Sequence, residues 1–312
     1  MRIAVIDLGT NTCNLLIAEL NSSGYSILHQ SKEYVKLGDG KITTNEISDD
    51  AIERVKKAFE NHKKIIEKLN AQKVRCIATS AIRSAINKID FLNQIGNKSG
   101  WTVKVISGEM EAELIFKGVL LAIGSFQKPS VILDIGGGSN ELILAKNKKM
   151  LWKESQPTGM GRVINRFAIS DPIQPKEIEQ LAEFFREEHK IAIEECTQQN
   201  VYTLVGCSGA FDTLADMIDQ VDPGEKQRIS KSISLDEFYS VFNNLIKSTR
   251  KERIDMKGMD MMRVDLIVPA VIFIELLISE IGINDIVQTD YALREGVLFE
   301  TMEKMRSLTA QK

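Results

Sequence analysis

The sequence predicts an α/β protein built as two domains with mixed sheets flanked by helices. Three observations lead there. Short apolar runs of strand length alternate with longer segments of helical period, the pattern of sheets covered by helices. One plan, a strand, an Asp-x-Gly turn and a second strand, occurs twice: "IAVID" and "LLIAEL" flank "LGTNTCN", while "VILDI" and "LILA" flank "GGGSN". The two aspartates, Asp7 and Asp134, stand 127 residues apart, a domain's length, in a chain of 312 residues. The expected domains are 1–124 and 125–312, with the C-terminal helix packing back on the first and a cleft between the two.

Taken in order, a helix follows the first turn, because Ile52, Val55, Phe59, Ile66 and Leu69 recur at helical spacing. Asp50 and Glu53 form its capping-box pattern, and His62 falls on the buried stripe as a structural residue. "KVRCIAT" reads as a strand, "SAIRSAIN" as a turn and short helix, "TVKVIS" as a strand and "GEMEAELIFKGVLLAI" as a helix. In the second half, "SDPIQPKEIEQLAEFFREEHKIAIEEC" reads as one long charged helix with a proline-marked start. "VYTLVGCSGAFDTLADM" gives a strand, a glycine turn and a helix, and "DQVDPGEKQRISKS" a surface loop. The charged run "KSTRKERIDMKGMDMMR" reads as solvated surface in preference to an anion-facing segment. "DLIVPAVIFIELLIS", interrupted by Pro269 and Glu275, falls short of the ~20 residues that span a bilayer and reads as a buried helix.

Composition excludes several classes. A net charge of −3 lacks the basic surplus of a nucleic-acid binder. Four scattered cysteines without C-x-x-C spacing, and three histidines, argue against a zinc site and for reduced thiols in a cytoplasmic protein. The apolar start of "MRIAVIDLG" is too short for a signal-peptide core, and neither secretion nor membrane attachment is expected.

The chemistry concentrates in "LDIGGGSNEL". Glycines behind a buried strand let the backbone turn amide hydrogens toward an anion, with phosphate the commonest candidate. Asp134 and Glu141 beside it would repel that phosphate unless a hard divalent cation lies between them. A tight turn that needs glycine only for steric relief is the alternative, and the stretch alone leaves both open. Cys207, inside the later glycine turn, reads as a buried, inert thiol.

Two Asp-x-Gly turns, with a third glycine turn at Gly206, Ser208 and Gly209, resemble the phosphate-binding plan of the actin, sugar-kinase and heat-shock ATPase superfamily. "DLGTNTCNLLI", "ATSAIRSAINKIDFL", "ISGEMEAELIFKGV" and "LDIGGGSNEL" together are similar to the exopolyphosphatase and guanosine pentaphosphate phosphohydrolase family. Weaker matches follow in "PTGMGRV", "GCSGAFDTLA" and "LREGVL". The resemblance implies two actin-like (ribonuclease H-like) domains. It also implies hydrolysis of the terminal phosphoanhydride of inorganic polyphosphate, or of guanosine pentaphosphate. Glu111, preferred to Glu109, would be the general base and Arg83 a phosphate clamp. Asp134, Glu141 and Asp7 would hold Mg²⁺, with Mn²⁺ as an alternative and K⁺ as a monovalent ion to consider. Gly9, Thr10 and Asn11 would form one phosphate loop, Gly136, Gly137, Gly138 and Ser139 the second. A homodimer is consistent with the family. Rival readings are an ATP-dependent kinase of the same superfamily and a non-catalytic sensor of guanosine tetraphosphate or polyphosphate.

Two positions depart from the resemblance. Many relatives carry a basic residue where this chain has Glu113, and a number carry Arg where it has Asn14, so attraction of a polyanion is expected to be weaker. Longer relatives add a C-terminal helical domain, and without it shorter polyphosphates are the expected substrates.

Overall fold

The computed structural model describes residues 1–21, 24–38 and 44–310. Contacts divide the chain into two units, Met1–Gly118 with Leu293–Lys312, and Val119–Ala292. The division falls ahead of the 124/125 boundary expected from sequence, and the last helix goes with the first unit.

In the first unit the strands are β1 (Arg2–Leu8), β2 (Thr12–Leu20), β3 (Tyr25–Tyr34), β4 (Lys73–Ala78) and β5 (Val103–Val105). Their sheet order is β3-β2-β1-β4-β5. The first three pair antiparallel, whereas β4 and β5 extend the sheet in parallel. β1 is buried over most of its length, as the run "IAVI" requires of a central strand covered on both faces. The helices are α1 (Asp49–Lys68), α2 (Ser80–Ser84), α3 (Lys88–Ser99) and the start of α4 (Gly108–Ile123). Helix α1 packs its apolar stripe, including fully buried His62, into the core. Burial pushes the His62 ring below its ordinary value, and Nε2 lies 3.2 Å from the Cys13 carbonyl. The cap of α1 is Ser48 and not the expected Asp50, because the Ser48 hydroxyl accepts from the Ala51 amide while Asp49 and Asp50 occupy the first turn.

The second unit repeats the arrangement. Its strands are β6 (Phe126–Ile135), β7 (Asn140–Asn147), β8 (Lys149–Gln156), β9 (Thr203–Cys207), β10 (Lys231–Ile233) and β11 (Asp285–Thr289), ordered β10-β11-β9-β6-β7-β8. Here β6, β7 and β8 pair antiparallel, while β9 and β11 continue from β6 in parallel. The helices are α5 (Met160–Arg166), α6 (Pro175–Glu188), α7 (Lys190–Gln198), α8 (Gly209–Asp219), α9 (Leu235–Lys247), α10 (Arg250–Asp255) and α11 (Ile267–Ile281). The expected single long helix is broken into α6 and α7 at His189, whose ring is buried and engaged by Glu154 and Thr158. Helix α11 is the core of this unit, almost wholly buried and packed on α5, α6, α7, α8 and α9. Pro269 fits because it lies in the first turn, where an amide hydrogen has no helical partner anyway. Among the described residues, no helix is long and apolar enough to cross a membrane. Helix α12 (Leu293–Ala310) returns to the first unit and packs on β1. Its Gly296 meets α4 so closely that a Cβ would stand 1.8 Å from the Leu114 carbonyl oxygen.

The loop expected at the surface before β10 contains a buried cation. Arg228 is 6 % exposed, and its guanidinium reaches Asp216 at 2.8 Å and Asp219 at 2.7 Å. Asp219 also accepts from Lys231 at 2.7 Å and Lys226 at 3.0 Å. Hydrogen bonds from Lys231, then Arg228 and Lys226, hold the Asp219 carboxyl far below its ordinary value against the effect of burial. A carboxylate with a depressed native pKa adds stability that is present above its unfolded value and is lost as pH falls toward the folded one. Asp219→Asn should therefore cost roughly 2 to 3 kcal/mol near neutral pH. Chemical denaturation should show the gap between variant and wild type closing from about pH 5 to about pH 2.

Candidate functional site

The two hairpins carry the same turn. The Gly9 amide donates to the Thr12 carbonyl at 2.9 Å, and the Gly136 amide to the Ser139 carbonyl at 3.0 Å. In each turn the strand positions opposite one another carry polar side chains on one face: Asp7 faces Asn14, and Asp134 faces Glu141. The 127-residue repeat read from the sequence thus holds residue by residue.

What orients these turns is the way their carbonyls are held. The Thr10 carbonyl accepts from the Leu37 amide at 2.7 Å, and the Asn11 carbonyl from the amides of Val35 and Lys36. In the second turn, Met160 donates to the Gly136 carbonyl at 3.0 Å, Gly161 to Gly137 at 2.9 Å and the Arg162 Nε to Gly138 at 3.0 Å. A carbonyl and the next amide point oppositely within one peptide plane, so this turns the amides of Gly137, Gly138 and Ser139 the other way. Among the described residues those three amides donate to no protein acceptor. "PTGMGRV", a weak match in the sequence, is the segment that sets this geometry. A Cβ on Gly159 would lie 2.5 Å from the backbone of Gly138 and Ser139, and one on Gly136 would lie 2.7 Å from the Ser139 oxygen. Steric relief and amide presentation, the alternatives left open by the sequence, therefore occur together.

Asp134 and Glu141 are 9 % and 2 % exposed, and Ser155 donates to Glu141 at 2.7 Å. Asp7 is half-buried and accepts from the Asn14 amide at 3.2 Å. Burial pushes its carboxyl above the usual range, opposed by that hydrogen bond and by the charge of Arg294. Among the described residues no three His, Cys, Asp or Glu side chains are grouped to hold a metal ion. Two oxygen-donor carboxylates fit a hard cation that takes its other ligands from phosphate and water.

On α4, Glu111 is buried and Glu109 exposed. Arg83 of α2 donates from one nitrogen, Nη1, to Glu111 Oε2 at 2.8 Å and to the Ile106 carbonyl at 3.1 Å. The sequence assigned Arg83 to phosphate; the structure brings it to Glu111. Among the described residues Nε and Nη2 have no acceptor.

The third turn joins β9 to α8. Cys207 is fully buried there, its thiol 3.8 Å from the Leu133 carbonyl. Ser208 has φ 70° and ψ 175°, a region essentially reserved for glycine. A Cβ on Gly209 would stand 2.1 Å from an Arg263 guanidinium nitrogen. Arg263 comes from the charged run read as solvated surface. Its half-buried guanidinium lies over the start of α8, with no ion-pair partner among the described residues. Elsewhere in that run the surface reading is mixed: Arg250 is exposed and bonded to Asp265, whereas Arg253 is buried and holds the Ser248 and Val264 carbonyls. A signal for Arg263 was its place directly before the apolar α11, where a surface run must turn inward.

Serine at a strained position of a candidate site has a measurable signature. Ser208→Gly should raise stability by about 1 kcal/mol by relieving the backbone. It should also lower affinity for inorganic phosphate or tripolyphosphate by removing the hydroxyl, as thermal melts and calorimetry would show.

Comparisons with known proteins agree with this architecture. The model of the Ppx/GppA phosphatase family matches residues 16–305. A crystal structure of an exopolyphosphatase from Cytophaga hutchinsonii is 34 % identical, covers 97 % of this chain and 98 % of its own, and superposes with a TM-score of 0.93. Exopolyphosphatase 2 of Mycobacterium tuberculosis is 29 % identical over 310 residues, 95 % of this chain and 97 % of the relative. The guanosine-5'-triphosphate,3'-diphosphate pyrophosphatase of Photobacterium profundum is 27 % identical over 97 % of this chain and 60 % of its own length. With its twin phosphate-type turns, its two mixed sheets flanked by helices and a family match across nearly its whole length, the chain belongs to the Ppx/GppA phosphatase family.

Proposed function

We propose that the protein is a divalent-metal-dependent hydrolase that removes the terminal phosphate of inorganic polyphosphate. The observation that carries the reading is the Gly136–Ser139 turn, with its carbonyls tied back and its amides presented beside Asp134 and Glu141. Relatives of matching length named as exopolyphosphatases support it.

In this reading the amides of Gly137, Gly138 and Ser139 hold the terminal phosphate oxygens, with Ser208 and Arg263 as further phosphate ligands. Water attacks the terminal phosphorus, its proton passes to Glu111, and the bridging P–O bond breaks toward a chain one phosphate shorter, releasing orthophosphate. Arg83 fixes the Glu111 carboxylate through Nη1 and keeps its other nitrogens for phosphate oxygens. Asp134 and Glu141 are the residues that would hold Mg²⁺ or Mn²⁺. When bound, such an ion offsets charge on the leaving phosphate. Four buried free cysteines favour a reducing compartment such as the cytoplasm.

Guanosine pentaphosphate is the second reading, favoured by the Photobacterium profundum relative. Phosphate release with Mg²⁺ from medium-chain polyphosphate, guanosine pentaphosphate and ATP, at matched terminal-phosphate concentration, separates the two. Fast release from polyphosphate is expected; preference for the guanine nucleotide would promote the second reading, and binding without release would make the protein a sensor. Glu111→Gln keeps an acceptor for Arg83 but removes the base, so hydrolysis should fall roughly 10²-fold or more. Substrate affinity should change little, and an unaltered rate would move the base elsewhere.

A further inference from the structure

A buried polar chain runs behind the second glycine turn and takes no part in the chemistry above. Asn140, fully buried directly after Ser139, donates from Nδ2 to the Thr158 carbonyl at 2.7 Å and to the Thr158 hydroxyl at 3.1 Å. That hydroxyl lies 2.9 Å from His189 Nε2, and His189 Nδ1 lies 2.5 Å from Glu154 Oε1 on β8. The His189 ring has no exposed surface and stacks on Phe273 of α11 with centroids 4.6 Å apart.

The proton directions follow from what each group can do. A backbone carbonyl only accepts, so Asn140 must present its NH₂ to Thr158. The Glu154 carboxylate accepts, so Nδ1 of His189 carries a hydrogen, and in that tautomer Nε2 accepts from the Thr158 hydroxyl. Each donor in the chain then has one orientation, set from the carboxylate end.

Both ends of the glycine turn hang on this chain. Asn140 is its exit residue, and Thr158 precedes Gly159, whose backbone seats against Gly138 and Ser139. The same segment continues into Met160, Gly161 and Arg162, which hold the turn's carbonyls. Breaking α6 from α7 at His189 is what lets the ring reach inward.

We propose that His189 is a positioning residue for phosphate binding: through Thr158 and Asn140 it fixes the amides of Gly137, Gly138 and Ser139 in their anion-facing orientation. This inference rests on the reading of that turn as a phosphate site.

The test uses the full chain with Thr158→Val, which removes the hydroxyl at nearly constant shape, Thr158→Ser, which keeps it, and His189→Phe, which keeps the stack on Phe273. The readouts are Tm, tripolyphosphate affinity by calorimetry, and kcat and KM for phosphate release from medium-chain polyphosphate. Thr158→Val and His189→Phe should weaken tripolyphosphate binding and raise KM about 10-fold or more, since small misplacements of binding groups have large effects. Thr158→Ser should stay near wild type in both. Folded Thr158→Val with wild-type affinity and KM would overturn the proposal, as would Thr158→Ser impaired as much as Thr158→Val. Should His189→Phe fail to fold, the valine and serine pair decides alone. Wild-type protein that binds tripolyphosphate but releases no phosphate would overturn the hydrolase reading only, with the affinity ratio of the two Thr158 variants still deciding the relay. Wild-type protein that binds no tripolyphosphate would overturn both.

Discussion

A peptide plane carries its carbonyl and the next amide hydrogen on opposite sides, so tying one down decides where the other points. Both hairpins of this protein depend on that constraint. The tying donors come from unrelated places: the residues just past β3 in the first unit, and the segment opening α5 in the second. The turn they act on is the same, closed by the amide of its first glycine. Glycine is demanded more strictly in the second, where a Cβ would lie 2.7 Å from the carbonyl oxygen that closes the turn, against 3.4 Å in the first.

The two hairpins share geometry and differ in charge. Asp7 meets a carboxamide, Asn14, and the two satisfy each other while burial raises the Asp7 carboxyl. Asp134 meets a second carboxylate, Glu141, at the same register. Two buried carboxylates at one place are costly unless donors or a cation accompany them, and the Ser155 hydroxyl supplies one such donor to Glu141.

Rigidity for the second turn comes from the helical core behind it. Phe273 of α11 is stacked by Phe185 and by His189, so the most apolar helix of the protein fixes a polar ring. The turn preceding the same helix presents Arg263 at the start of α8. In the first unit, Gly296 lets α12 lie against α4 one turn beyond Glu111.

The sequence by itself determined the α/β class, the repeated hairpins, the central strands and helices α1, α4, α8 and α11, because apolar period and glycine turns are local properties. The polar partners it named at Asp134, Glu141, Gly136 and Ser139 do stand together, since a hairpin brings near residues into register. It did not disclose β3 and β8, whose part-exposed outer positions blur the apolar alternation. Only the tertiary structure decided that Arg83 meets Glu111, that Arg228 is buried between Asp216 and Asp219, that His189 divides a helix and that Arg263 covers Gly209. Each of these joins residues distant in the chain, and a charged or polar side chain looks the same in sequence whether water or a buried partner satisfies it.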